Sequence, residues 1–334
     1  MDSEFQNNSI LIATDFDLDA FSRSGLTPKL YYGGWIINRE PYKPQELIED
    51  INNQGIDILI VEEDKVPKII FENCPDLKIV ISMRGNPVNI DLEAAKESGV
   101  PVLYAPGRNA QAVAELTICL MLDLLRKTSD SFLDMKKGNW GKGKEDPYLR
   151  FRGKELQSST VGLVGFGAIG QAVANLLNGF SSEVLAFDPY QTQDVFTHYC
   201  VSTVELDDLL RMSDLISIHV PLNPGTEDLL AERELSLIRP ESFIINTARA
   251  RIINQQALSQ ALIEKRIAGA ALDVHYKEPH VIDDPLFKMD NVLFTPHIGG
   301  ATQEVITRGS KIVIDDLVRY IQGDIPRWAA VLPK

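Results

Sequence analysis

Cysteine is scarce in this chain, with Cys74, Cys119 and Cys200 the only three in 334 residues. They are widely spaced, none belongs to a C-x-x-C pair, and two lie in apolar segments. A disulfide framework and a thiolate zinc site are therefore excluded as expectations, and a reducing cytoplasm fits. Positive charge is also short, since 33 Lys and Arg against 47 Asp and Glu leave a formal net charge of −14 with no basic block. A nucleic-acid backbone or an anionic membrane surface would be repelled at long range, so neither is an expected partner. Long apolar runs are missing too. The best helical stretch, Ala112 to Leu125, is interrupted by Glu115 and Asp123 and is short for a bilayer. Met1-Asp2-Ser3-Glu4-Phe5 is acidic where a signal peptide needs positive charge and then an apolar core, so export is not expected. His275 and His280 flank Glu278, but no ring of further ligands joins them and no metal is expected.

What remains suits a globular chain large enough for two domains, with 44% hydrophobic and 24% charged residues. Its most informative segment is Val161-Gly162-Leu163-Val164-Gly165-Phe166-Gly167-Ala168-Ile169-Gly170, an apolar run that breaks into G-x-G-x-x-G. The run reads as a buried parallel strand. Gly165 allows the tight turn, Gly167 lets the backbone approach a pyrophosphate, and Gly170 packs helix on strand. A helix opening near Ala168 presents free N–H groups and its positive dipole end to phosphate oxygens. After a helix and a second strand comes Phe187-Asp188-Pro189, where Asp188 can accept from the adenosine ribose hydroxyls and would repel a ribose phosphate. NAD is favoured over NADP. Glycines at such a junction can be purely structural, but the full order of strand, glycines, helix, strand and acid favours the nucleotide.

Ahead of this motif, apolar runs at Ile10-Leu11-Ile12-Ala13, Ile58-Leu59-Ile60-Val61, Leu77 to Ser82 and Val100 to Leu103 read as parallel strands. Candidate helices at about Pro44 to Asn53, Val66 to Asn73 and Ile90 to Ser98 make the first third an α/β unit of its own. Pro106-Gly107-Arg108-Asn109 breaks the pattern and starts a long helix, read as a hinge. Lys136 to Lys154, rich in glycine and lysine, reads as a loop. Strands then recur at Asp214 to Val220, Phe243 to Asn246, Gly269 to Asp273 and Val292 to Phe294, and a final helix covers about Gln303 to Gln322.

Charged groups follow several of these late strands. Arg249, Glu278 and His297 stand where an open α/β sheet places ligands, beyond the carboxyl ends of its strands. Arg249 offers a planar fork to a carboxylate, imidazole is the side chain that exchanges protons near neutral pH, and a glutamate on its far nitrogen fixes the tautomer. His219, at another strand end, stays open between a contact to the cofactor and a structural role, and is not counted with this set.

Together, the glycine motif, Met83-Arg84-Gly85-Asn86-Pro87-Val88-Asn89-Ile90-Asp91, Pro106-Gly107-Arg108-Asn109-Ala110 and the His297 segment resemble the D-2-hydroxyacid dehydrogenase family of NAD-dependent oxidoreductases. The resemblance covers nearly the whole chain. It implies an α/β fold of two parallel-sheet domains, Rossmann-like and flavodoxin-like, in which an NAD-binding domain (108–299) is inserted into a discontinuous substrate domain (1–107 plus 300–334). It implies an Arg249, Glu278 and His297 catalytic set, with His297 moving the proton while hydride passes between substrate carbon and nicotinamide. Cofactor contacts are implied at Gly165, Gly167, Ala168, Ile169, Gly170, Asp188, Pro189, Val220, Pro221, Thr226, Thr247, Ala248, Asp273 and Gly299, with Asp273 near the nicotinamide carboxamide. The backbone of Arg84, Gly85 and Asn86 is implied to hold the substrate carboxylate. Ala168 departs from the family, whose members often carry a basic residue there. Arg84 and Arg108 are unusual in their loops, and are candidates for a second anionic or polar group on the substrate, although Arg108 can equally cap or pair across the hinge. A homodimer paired through the NAD domains is the expected assembly. Rival readings are a 3-phosphoglycerate dehydrogenase and, in a different class, an NAD-sensing corepressor.

Overall fold

Two separate sheets take up the apolar runs of the chain. The computed structural model describes residues 8–141, 146–279 and 283–332, and its chain contacts divide it into Met1–Asn109 with Thr302–Lys334, and Ala110–Ala301.

In the first unit, β1 (Ser9–Ile12), β2 (Lys29–Tyr32), β3 (Ile58–Val61), β4 (Ile79–Ser82) and β5 (Val102–Tyr104) are parallel, and the strand Ala329–Val331 adds antiparallel to β5. The order runs Ala329–Val331, β5, β4, β3, β1, β2. Every residue of β3 and β4 is buried, as β-branched runs covered on both faces must be. On one face Leu11, Leu59 and Val80 pack against Leu47, Ile51 and Ile70 of flanking helices. On the other, Ile10, Ile58 and Ile79 meet Val313, Ile314 and Leu317 of the helix Gln303–Ile321, whose amino end is capped by the Thr302 hydroxyl accepting from the Val305 N–H.

The second unit carries β6 (Thr160–Val164), β7 (Glu183–Phe187), β8 (Ser202–Thr203), β9 (Leu215–Ile218), β10 (Phe243–Asn246), β11 (Gly269–Leu272) and β12 (Val292–Phe294). All are parallel, in the order β12-β11-β10-β9-β6-β7-β8. That is the doubly wound order in which the chain reverses direction between β6 and β9, and ligands bind at such a switch point beyond the strand carboxyl ends. The helices Ala110–Arg126 and Ala168–Asn178 cover one face with Ile118, Met121, Leu125, Val173 and Leu177, while Leu209, Leu210, Leu258 and Leu262 cover the other.

Several sequence expectations change in detail. The long helix read as a hinge is part of the second unit's own packing. The segment read as a loop from Lys136 to Lys154 follows a helix, Thr128–Lys136, and contains a short one, Pro147–Arg150. His280 lies outside the described residues. Among the described residues no helix is long and apolar enough to cross a membrane, and no group of three or more His, Cys, Asp or Glu is arranged to hold a metal ion.

Candidate active site

The glycine motif follows β6. Gly165 has φ +97°, and a Cβ there would lie 2.7 Å from the carbonyl carbon of His219 and 2.8 Å from Val220, so both conformation and space require glycine. A Cβ on Gly170 would meet the Gly165 carbonyl oxygen at 2.4 Å, which is the close helix-on-strand packing the motif demands. Gly167 caps the helix Ala168–Asn178, and a Cβ there would meet nothing within 4 Å. Asp188, one residue beyond β7, accepts the Phe166 N–H at 2.8 Å and the Tyr190 N–H at 2.9 Å. It thereby fixes the turn. A cavity of about 360 Å³ lies alongside, lined by Phe187, Asp188, Pro189, Phe196, Val204 and Glu205 among others. Phe196, Thr203, Val204 and Glu205 escaped the sequence reading because β8, which brings most of them there, is two exposed residues without an apolar signature. Open space at a helix amino end, a carboxylate at the second strand and an adjoining cavity fit a dinucleotide.

Beyond β9, His219 is buried and neither ring nitrogen has a hydrogen-bond partner among the described residues. Burial pushes its pKa down to about 3, so the ring is neutral. The loop that follows is self-contained, with the Thr226 hydroxyl bonding the Pro221 carbonyl and the Asn223 N–H.

The expected catalytic residues come off three neighbouring strands. After β10, the Asn246 side chain accepts from the Ala248 N–H at 3.0 Å and donates to the Arg249 carbonyl at 2.9 Å, shaping the turn that carries Arg249. The Arg249 guanidinium is exposed and donates to the Ala248 carbonyl at 2.6 Å. No carboxylate among the described residues forms an ion pair with it. Beneath this turn the Thr247 and Thr117 hydroxyls are 3.1 Å apart. Glu278 follows β11. Its Oε2 lies 2.7 Å from His297 Nδ1, and its Oε1 accepts the His275 N–H at 3.0 Å. Partial burial works to raise the Glu278 pKa, but the bonds from His297 and His275 prevail and hold it below the ordinary glutamate value. His275 in turn bonds the Thr295 carbonyl at 2.9 Å and lies against Phe287 and Phe294, so the carboxylate rests on an ordered loop. His297, beyond β12, has φ +56°. Glu278 and His297 are thus in contact, and Arg249 stands at the end of the strand next to β11.

Asp273, expected near the nicotinamide carboxamide, is buried and occupied. Its Oδ1 accepts from the Thr295 hydroxyl at 2.6 Å and the Ile298 N–H at 2.8 Å, and its Oδ2 from the Gly299 N–H at 2.8 Å. Those three donors flank His297 on both sides.

The expected substrate residues lie in the first unit. Gly85 and Asn86 are exposed after β4. Arg84 donates through Nε to the Glu62 carbonyl at 2.6 Å and pairs through Nη2 with Glu63 at 2.5 Å. Arg108 pairs with the Glu62 carboxylate, inside its own unit.

The sequence model of the D-isomer specific 2-hydroxyacid dehydrogenase NAD-binding domain matches residues 118–299. The chain is 35% identical over 291 residues to glyoxylate reductase of Thermococcus litoralis, covering 86% of this chain and 87% of that one. It is 34% identical over 291 residues to D-3-phosphoglycerate dehydrogenase of Methanocaldococcus jannaschii, which spans 86% of this chain but only 54% of that protein. D-lactate dehydrogenase of Aquifex aeolicus, solved with NAD and lactic acid, aligns with TM-score 0.76 and 25% identity over 98% of this chain and 100% of that one. The chain belongs to the NAD-dependent D-2-hydroxyacid dehydrogenases. It is an oxidoreductase acting on CH–OH groups, and its cofactor is NAD.

Proposed function

We propose that the protein interconverts a small D-2-hydroxy acid and its 2-keto acid, with His297 as the proton donor and acceptor. The observation that carries this is the 2.7 Å contact between His297 Nδ1 and Glu278 Oε2, together with an Arg249 that has no carboxylate partner among the described residues. When bound, reduced NAD supplies a hydride to the carbonyl carbon. The carbonyl π pair then moves to oxygen, which takes the proton from His297 Nε2, and oxidation runs the same steps backwards. Glu278 stays ionised, fixes the proton on Nδ1 of the neutral ring and stabilises the imidazolium. Arg249 receives the substrate carboxylate. Helix Ala168–Asn178 holds the pyrophosphate, and Asp188 selects NADH over NADPH.

A homodimer paired through the second unit is supported by the exposed Phe132, Leu133, Trp140, Tyr148 and Leu149. Phosphoglycerate as the substrate gains no support, because the two cations named for its phosphate are each paired with a glutamate. A screen of 2-keto acids differing in chain length and charge, with NADH and NADPH in parallel, tests the reading. Oxidation of NADH by at least one of them is expected, and its absence with all of them would overturn the proposal.

A further inference from the structure

We infer that the His275 imidazole is a positioning residue for the proton-transferring pair, tying the turn of His297 to the loop of Glu278 through the Thr295 carbonyl. This rests on the reading above, in which His297 moves the proton. All the residues involved belong to the second unit, on the loops that follow the neighbouring parallel strands β11 and β12.

Four contacts close into a ring. His275 Nε2 lies 2.9 Å from the Thr295 carbonyl oxygen, and that same oxygen accepts the His297 N–H at 3.0 Å. His297 Nδ1 meets Glu278 Oε2 at 2.7 Å, and Glu278 Oε1 returns to the His275 N–H at 3.0 Å. A carbonyl oxygen only accepts, so Nε2 of His275 carries its hydrogen and donates. One residue thus reaches Glu278 through its main chain and the backbone of His297 through its ring.

His275 is itself anchored. Val274 before it is buried, and the Tyr276 hydroxyl after it donates to the Ile253 carbonyl at 2.8 Å. Its ring is tilted against Phe287 and Phe294, with centroids 5.5 and 6.0 Å away, and those two phenyl rings stack at 4.2 Å. Any flat ring could pack there, so the hydrogen bond is what an imidazole adds at this place. The need for it comes from His297, whose φ of +56° lies in a region that a side-chain-bearing residue occupies only when its surroundings hold it there. The Asp273 carboxylate holds the Thr295 hydroxyl and the Ile298 and Gly299 N–H groups. As an acceptor it can do nothing for the Thr295 carbonyl, which needs a donor. His275 is that donor.

The test sets three variants, each checked for folding by thermal melts, against the unmodified protein, with NADH and whichever of glyoxylate, pyruvate, hydroxypyruvate and phenylpyruvate that protein reduces fastest. His275→Phe keeps a flat ring on the two phenyl groups and removes the donor. His275→Gln can place an amide N–H near the position of Nε2, and His275→Asn is one bond too short to do so. His275→Phe and His275→Asn are expected to lower kcat about fivefold or more, with the KM for the keto acid and the fluorescence-measured Kd for NADH changed by less than about twofold, and His275→Gln to recover most of kcat. If His275→Phe does not fold, the comparison of His275→Asn with His275→Gln decides. Unchanged kcat in folded His275→Phe, equal losses in His275→Asn and His275→Gln, or a loss carried by KM or Kd and not by kcat, would overturn the positioning role alone. Absence of NADH oxidation by the unmodified protein with all of these keto acids would instead overturn the reading on which it rests.

Discussion

The carboxylate of Asp273 accepts the Gly299 N–H at 2.8 Å, two residues past His297. With its bonds to Thr295 and Ile298 it pins both sides of a residue whose φ of +56° is uncommon for anything but glycine. Asp273→Asn keeps the shape but turns one acceptor into a donor facing donors. It is expected to cost about 1–3 kcal/mol of stability and to lower kcat about tenfold or more by loosening His297. Denaturant titration and steady-state kinetics check this, and unchanged kcat in the folded variant would show that the loop does not need this clamp.

His297→Ala should lower kcat by on the order of a hundredfold or more, with NADH binding little altered. Glu278→Gln should have a smaller effect in the same direction, because an amide can still orient the ring but cannot stabilise its cation. The Glu278 pKa is depressed below its ordinary value of 4.5. The ionised partner is therefore fully present above that value and is lost only as pH falls through the lower folded pKa. Loss of the Glu278 contribution to turnover should appear only at pH more acidic than 4.5, and a pH–rate comparison of the two proteins reads it.

Asp188→Ala should raise the NADPH-to-NADH ratio of kcat/KM by about tenfold or more, since it removes the repulsion of a ribose phosphate. Because Asp188 also accepts the Phe166 and Tyr190 N–H groups, the KM for NADH should rise as well. A change in KM without any change in the ratio would leave Asp188 as a turn-forming residue only.

For His219 the sign is the same as for a carboxylate held below its ordinary value, although here burial and not a partner lowers the pKa. The unfolded imidazole takes up a proton near 6.5, whereas the folded ring resists it until about 3. Across that window the unfolded state binds the extra proton, so stability falls as the medium becomes more acidic, by up to about 1.4 kcal/mol per pH unit. His219→Asn should lose less stability than the unmodified protein when pH is lowered from about 7.5 to about 5. Parallel urea-derived curves would contradict the assignment.

The strands buried on both faces and the glycine turn were legible because each is written in consecutive residues. Continuous runs such as Ile58–Val61 admit few other readings, and β6, its glycines and Asp188 fall within one stretch. The edge strands β2 and β8 were not, although β12 was. β2, with one lysine and two tyrosines among its four partly exposed residues, and the two-residue β8 lack the apolar pattern that burial imposes. The role of Asp273 and the pairing of Arg84 and Arg108 were equally hidden, because their partners lie 21 to 46 positions away and only the parallel register brings them together. An unpaired guanidinium and a neutralised one look alike in a sequence, and here the difference separates Arg249 from Arg108.

β12 is three residues long and forms the margin of the second sheet, while β6 and β9 lie at its middle. The imidazole therefore rides on a short marginal strand, and the glycine turn on the central ones. In dilute denaturant the two should part company, with chemistry fading while nucleotide affinity persists, as the outermost ribbon frays ahead of the interior.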